Sequence, residues 1–275
     1  MVMNMKNKVP LNILPSISNI KEASCVNKHP LYNISSKLSL YIHFPFCMNS
    51  CLFCPIQTVR YDPSLAERYI KSLKKEIAGC FKMIGRHRVD NIHFGGGTPS
   101  LMKEREIEGI LNIIRDYADI ENAEILLEAH PKFISNSMID YLSGLPMSNY
   151  KIITEDIKYI ESMEPDHISQ YPLYLTSCLE NLYLHDDREK FKIRTIQLSQ
   201  YCENRFSSLG YCRYAIFYYQ KKGFSHKYGR NQLDGGKWIG FGASAYSYIG
   251  DAVYVNSNIP EYIKGNFVSN QYKFD

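Results

Sequence analysis

Residues 41–55, "YIHFPFCMNSCLFCP", place Cys47, Cys51 and Cys54 in a C-x3-C-x2-C array immediately after a strand-like run. That run, "LSLYIHF" (38–44), alternates and is rich in β-formers, so it reads as a strand. Thiols crowded into a loop after a strand fit no core-packing pattern. In a reducing compartment they point to a metal rather than to disulfides. Structural zinc takes four protein ligands, commonly as two separated pairs. No second Cys/His pair is evident, although His43 lies close by. Three thiolates can instead hold three irons of a four-iron cluster and leave the fourth open to a small molecule. Spacing alone leaves both metals open.

The rest of the sequence sets the context. The N-terminus has no apolar signal core or cleavage site, and no apolar run reaches the length of a membrane span, so a cytoplasmic, reducing location is expected. The other five of the eight cysteines are solitary and read as small buried or indifferent residues. A net charge of +4, with Lys and Arg scattered, gives no basic block for nucleic acid. The 275 residues suffice for one large domain or two small ones.

Strands and helices alternate along the chain. Residues 63–84 place Leu65, Tyr69, Leu73, Ile77 and Phe81 on one helical face, with Asp62 or Ser64 to cap it. "RVDNIHF" is a second strand, ended by Gly95-Gly96-Gly97. A helix follows over "KEREIEGILNIIRDYA", and "AEILLEAHP" is a third strand. "SNSMIDYLSGL" is expected to be a short helix, "YKIITEDIKYIESM" another, and "PDHISQYPLYL" a strand. Then come a long helix closed by Gly210, a single strand "CRYAIFYYQ", and a tail expected to be a short helix with a frayed end. Alternation of this kind argues for a parallel α/β sheet. The expected organisation is a loosely ordered arm over 1–37, one domain over 38–265 and a tail over 266–275.

"YIHFPFC-MNS-C-LF-C" resembles the signature of radical SAM (S-adenosylmethionine) enzymes, and Tyr41, His43, Pro45 and Phe46 narrow it to the branch containing oxygen-independent coproporphyrinogen III oxidase (HemN) and the haem chaperone HemW. "GGGTPS" (95–100), "EAHP" (128–131), Gly144-Leu145-Pro146, "DHIS" (166–169) with Tyr171, and Gly240-x-Gly242-Ala243 with Ser247 match further stretches of that branch. The resemblance implies a 4Fe-4S cluster on Cys47, Cys51 and Cys54, and SAM held by Tyr41, Gly95, Gly96, Gly97, Thr98, Glu128, Gly242 and Ala243. Tyr41 and His43 would sit beside the SAM sulfonium as catalytic residues. It implies reductive cleavage of SAM to a 5′-deoxyadenosyl radical and an electron donor such as flavodoxin or ferredoxin. The substrate would be porphyrinogen-like in an oxidase, or haem in a chaperone. A methyltransferase or a cluster-binding pseudoenzyme fits the same motifs.

Departures matter as much. The position two residues beyond Cys54, often cysteine in the family, is Ile56. Only "KFISNSMIDYLS" lies between the Glu-x-x-Pro strand and Gly-Leu-Pro, where the family carries about two further strand–helix units. An Ala, Ala215, stands where a strand glutamate is usual, and the family's C-terminal domain is expected to be missing. The expected fold is therefore a partial TIM-type barrel of parallel strands, shortened by about two β-α units.

Overall fold

Leu38, Leu40, Ile42 and Phe44 are almost fully buried and alternate with Ser39, Tyr41 and His43. The period of two in the sequence is thus the period of a strand with two chemically different faces. The computed structural model describes residues 21–22, 37–49, 54, 56–128, 138–143, 149–172, 188–249 and 252–273.

In chain order the elements are β1 (Lys21–Glu22), β2 (Lys37–Phe44), β3 (Phe46–Cys47), β4 (Val59–Arg60), α1 (Pro63–Ile84) and β5 (His87–Gly96). A 3-10 turn over Pro99–Leu101 leads to α2 (Glu104–Tyr117), β6 (Ala118–Asp119) and β7 (Glu124–Leu127). Next come β8 (Met138–Ser143), α3 (Tyr150–Met163), β9 (His167–Pro172), α4 (Arg188–Ser208), β10 (Tyr211–Ala215) and β11 (Tyr218–Lys221). The described chain ends with α5 (Lys227–Leu233), β12 (Trp238–Phe241), β13 (Tyr246–Ile249), β14 (Ala252–Asn256), α6 (Ile259–Lys264) and β15 (Val268–Lys273).

The described residues fall into two compact units. The first holds one sheet in the order β1-β15-β14-β13-β12-β2-β5-β6, with β7 also on β5. Its inner strands β12, β2, β5 and β7 run parallel, and β12 to β15 form an antiparallel meander. Helix α1 covers the apolar face with Tyr69, Ile70, Leu73, Ile77 and Phe81. It starts where Asp62 accepts the N–H of Leu65 at 2.8 Å, with Pro63 in the first turn, and stops at Gly85, whose φ of +79° suits glycine. Of the two proposed caps, Asp62 is the one that binds the helix, and Ser64 donates to it.

The second unit has a four-stranded sheet, β10-β11-β9-β8, with α3 and α4 packed on it through Ile153, Ile157, Ile160, Ile168, Leu198, Cys202 and Phe206. Three sequence expectations change here and at the C-terminus. "MIDYLS" is not a helix but β8, pairing in parallel with β9 from Met138↔His167 to Ser143↔Pro172. Nothing local in the segment decides between helix and strand, and the neighbouring strand supplies its hydrogen bonds. The single strand "CRYAIFYYQ" is a hairpin of β10 and β11, bent at Ile216–Phe217. The expected frayed end is β15, which pairs with β14 and with Lys21–Glu22.

Candidate functional site

Strand register builds the site. Parallel pairing of β2 with β5 sets Ser39 beside Asn91, Tyr41 beside His93 and His43 beside Gly95. These residues share the face opposite the one under α1, and Ser39, His43, Asn91 and His93 are each at most 5% exposed. Polar side chains so enclosed must bond to one another. Asn91 Nδ2 donates to Ser39 Oγ at 2.8 Å. Tyr41 OH and His43 Nδ1 lie 3.2 Å apart. The Tyr41 and His93 rings stack at 5.7 Å and 25°. Burial pushes the His43 imidazole down to about 4, against the opposing pull of Glu128 and a contact with the Gln57 backbone. His43 is therefore neutral at neutral pH.

The glycine bend at the end of β5 folds over this row. Glu128, just past β7, spans it: Oε1 accepts from His93 Nε2 at 2.9 Å and Oε2 from Gly96 N at 3.1 Å. A Cβ on Gly95 would lie 2.6 Å from Glu128 Oε1 and 2.7 Å from Tyr41 Cε2. One on Gly96, whose φ is +119°, would lie 2.7 Å from the His43 ring. One on Gly97 would lie 2.7 Å from Phe46 O and 2.9 Å from Cys47 Sγ. The bend and the cysteine loop are also sewn together by backbone, with Gly97 N donating to Phe44 O and Thr98 N to Phe46 O, both at 2.8 Å. Thr98 Oγ1 points its hydroxyl at Cys47 Sγ, 3.5 Å away. On the other side, β3–β4 pairing sets Arg60 opposite Cys47.

A second bend, Gly240 to Ala243, closes on β2 from its other edge. Gly242 has a φ of +107°, and a Cβ there would lie 2.5 Å from Tyr69 OH and 2.6 Å from His43 O. Its N–H donates to Glu76 Oε2 at 2.9 Å, and the N–H of Ala243 donates to Tyr69 OH at 2.9 Å. Tyr69 in turn donates to His43 O at 2.7 Å. Glu76 also accepts from Asn256 Nδ2 at 2.7 Å and from Tyr262 OH. Glu76 as a residue is only half-buried, but these donors enclose its carboxyl, and desolvation raises it to about 7. Ser247, matched to the same motif, accepts from Gly240 N at 2.9 Å.

The structure thus brings together Tyr41, His43, Cys47, Gly95, Gly96, Gly97, Thr98 and Glu128 through the contacts above. Gly242 and Ala243 reach the same strand, with their amides engaged by Glu76 and Tyr69. Cys51, Pro131 and Gly144 to Pro146 lie outside the described residues. Cys54 is half-buried and belongs to the second unit, as do His167, Ser169 and Tyr171. In that unit Tyr214 OH lies 3.0 Å from His167 Nε2 and 3.2 Å from His226 Nδ1. Among the described residues no group of three or more His, Cys, Asp or Glu stands ready for a metal. Sequence reading missed Ser39, Asn91, His93 and Glu76. The first three carried a signal, since both strands place a polar residue at every second position.

No family model matches the chain. The haem chaperone HemW of Buchnera aphidicola subsp. Schizaphis graminum is 25% identical over 85% of this chain and 78% of that protein. The oxygen-independent coproporphyrinogen III oxidase of Synechocystis is 33% identical over 46% of this chain and 27% of that protein. Among solved structures, Escherichia coli coproporphyrinogen III oxidase (HemN), a radical SAM enzyme, superposes with a TM-score of 0.72 at 18% identity, covering 87% of this chain and 72% of that one. The α/β fold is therefore of radical SAM type. No described helix is long and apolar enough to cross a membrane. With the cysteine loop seated on the glycine bend and relatives of both kinds, the chain is HemN/HemW-like in sequence and shares the fold of a radical SAM enzyme.

Proposed function

We propose that this chain binds a 4Fe-4S cluster through Cys47, Cys51 and Cys54 and SAM through the glycine bend, and that it cleaves SAM reductively. The barrel we take as shortened by about two β-α units. The observation that carries the reading is the seat of Gly97 on Cys47: a single methyl group there would collide with the sulfur and with the loop backbone. Bare backbone beside a cysteine sulfur is what a cluster with a ligand on its open iron requires, since a side chain would fill that space.

When bound, the cluster would supply the electron that splits SAM to methionine and a 5′-deoxyadenosyl radical. The protein's part is to place and shield. The Thr98 hydroxyl, aimed at Cys47 Sγ, orients that sulfur as a ligand. The Glu128 carboxylate, fixed at both oxygens, sets a negative charge at the bend for the cationic amino or sulfonium group of SAM. His43, kept neutral by burial, adds no competing positive charge. Gly242 and Ala243, tied by their amides to Glu76 and Tyr69, brace β2 beside His43, and the Tyr41 ring lies against the bend at Gly95.

Similarity to HemW over 85% of the chain supports a second reading, a haem-binding chaperone that keeps the cluster. In the oxidase reading the substrate is a porphyrinogen propionate side chain, whose carboxylates Arg60 could meet. Anaerobically reconstituted protein should be brown and lose both colour and iron when the three cysteines are changed to Ala. Unchanged iron content would refute the cluster. Release of 5′-deoxyadenosine with SAM and dithionite marks an enzyme, and stoichiometric haem uptake without cleavage marks the chaperone.

A further inference from the structure

Ser244 is one of two residues other than glycine with a positive φ among the described residues, at +60°. Glycine takes that left-handed conformation freely and serine does not. The backbone of the turn gives serine no advantage: the Ser244 amide donates to Ser257 O at 3.0 Å and the Ala245 amide to Gly242 O at 3.2 Å, bonds that glycine would make as well. What glycine lacks is the hydroxyl. Ser244 Oγ donates to Gln57 Oε1, 187 positions earlier in the chain.

Gln57 stands three residues after Cys54, where the chain leaves the cysteine loop. This outgoing leg is laced to the incoming one by Val59 N, which donates to Pro45 O at 2.9 Å, and by Tyr61 N, which donates to Cys47 O at 2.8 Å. The Gln57 backbone is also in contact with His43. Ser244 adds a tie from a different element, the Gly242 bend, which already holds His43 O through Tyr69. Resting on the cluster reading above, we propose that Ser244 and Gln57 are positioning residues. Their hydrogen bond latches the outgoing leg to the Gly242 bend, keeps the two legs of the loop together and so slows the loss of iron from its cysteines. The bond is exposed, so it acts on local opening of the loop rather than on the fold.

Thiol alkylation of the apoprotein, followed peptide by peptide, tests the latch without any cofactor. Cys47 is half-buried in the loop, and Cys80, buried in α1 of the same unit, reports opening of the whole unit. Gln57→Leu and Ser244→Gly should each speed alkylation of Cys47 about two- to tenfold, the factor for one lost hydrogen bond, and leave Cys80 at the parent rate. Gln57→Glu keeps an acceptor for the hydroxyl and should keep the parent rate. In anaerobically reconstituted protein, iron loss to a chelator should quicken in the first two variants and not in Gln57→Glu. Parent rates at Cys47 in Gln57→Leu and Ser244→Gly, equal acceleration at Cys80, or a Gln57→Glu that behaves like Gln57→Leu would overturn the latch. Faster alkylation with unchanged iron loss would overturn its part in holding iron. If the parent itself loads no iron, it is the cluster reading that fails, and alkylation still decides the latch.

Discussion

Gly97→Ala is the sharpest perturbation of the cysteine loop. Gly97 needs no left-handed backbone, so the effect of an added methyl is steric alone. That methyl would lie 2.7 Å from Phe46 O, 2.9 Å from Pro45 C and 2.9 Å from Cys47 Sγ. Two of these atoms are backbone, and they are tied in place because Phe46 O also accepts from Thr98 N at 2.8 Å. The loop cannot retreat without breaking that bond. Overpacking of this kind costs about 1–3 kcal/mol. At roughly 2–4 °C per kcal/mol the melting temperature should drop by about 2–12 °C. Gly79→Ala is the control. It sits in α1, its new Cβ meets nothing within 4 Å, and helix propensity should stabilise it by up to about 1 kcal/mol. Gly95→Ala falls between, because the atoms it meets are side chains, Glu128 and Tyr41, which can swing away. Thermal melts followed by circular dichroism give the order, and iron content after anaerobic reconstitution gives the second readout. Gly97→Ala that melts with the parent and loads the same iron would show that the bend does not press on the loop.

Other perturbations probe the scaffold around the bend. Burial raises Glu76 from 4.5 to about 7, so between those values the folded state holds a proton the unfolded chain has lost. Stability contributed here falls as pH rises, and a penalty of at most about 3 kcal/mol persists above 7. Glu76→Gln removes that titration, so its urea midpoint should gain on the parent's from about pH 5 to about pH 8, and a constant difference would rule the effect out. Tyr69→Phe strands the Ala243 N–H and His43 O and should cost about 1–3 kcal/mol in chemical denaturation; no loss would mean water replaces the hydroxyl. Ser39→Ala leaves the buried Asn91 amide without its acceptor and should destabilise by about 1–3 kcal/mol, whereas adding Asn91→Leu should recover most of the loss; additive losses would overturn the pairing.

Elements with strong periodicity were legible from the sequence. Helix α1 came out over its full length, 63–84, because its apolar residues recur every four positions and Asp62 precedes them. β2 came out because Leu38 to Phe44 alternates. What failed was short and context-dependent. Met138–Ser143 carries no decisive local pattern, and only the ladder to β9 makes it a strand. Val268–Lys273 depends in the same way on β14. At the site, the motif residues were visible as types at fixed spacing, but their partners were not. Glu76 meets Gly242 across 166 positions of sequence, and nothing local in "SLKKEIAG" distinguishes it from a solvated helical glutamate. His93 and Asn91 stood in the alternation of the second strand, yet their roles follow only from parallel register with Tyr41 and Ser39.

The same register bears on whether the chain is a decayed remnant. Buried polar groups are costly to hold, and a matched pair replaced by apolar groups of similar shape is often neutral or more stable. Folding alone therefore gives no reason to keep Ser39, Tyr41, His43, Asn91 and His93 on the inner face of two strands whose other face is wholly apolar. Nor does it favour a carboxylate at 128 closed over glycines, or a half-buried Glu76 raised to about 7. Every member of the polar row named here has at least one partner within the row, the bend or a neighbouring strand, although His43 Nε2 and Asn91 Oδ1 are buried without a hydrogen bond. Folding stability alone does not account for that row, and a ligand site at the glycine bend is the function proposed for it.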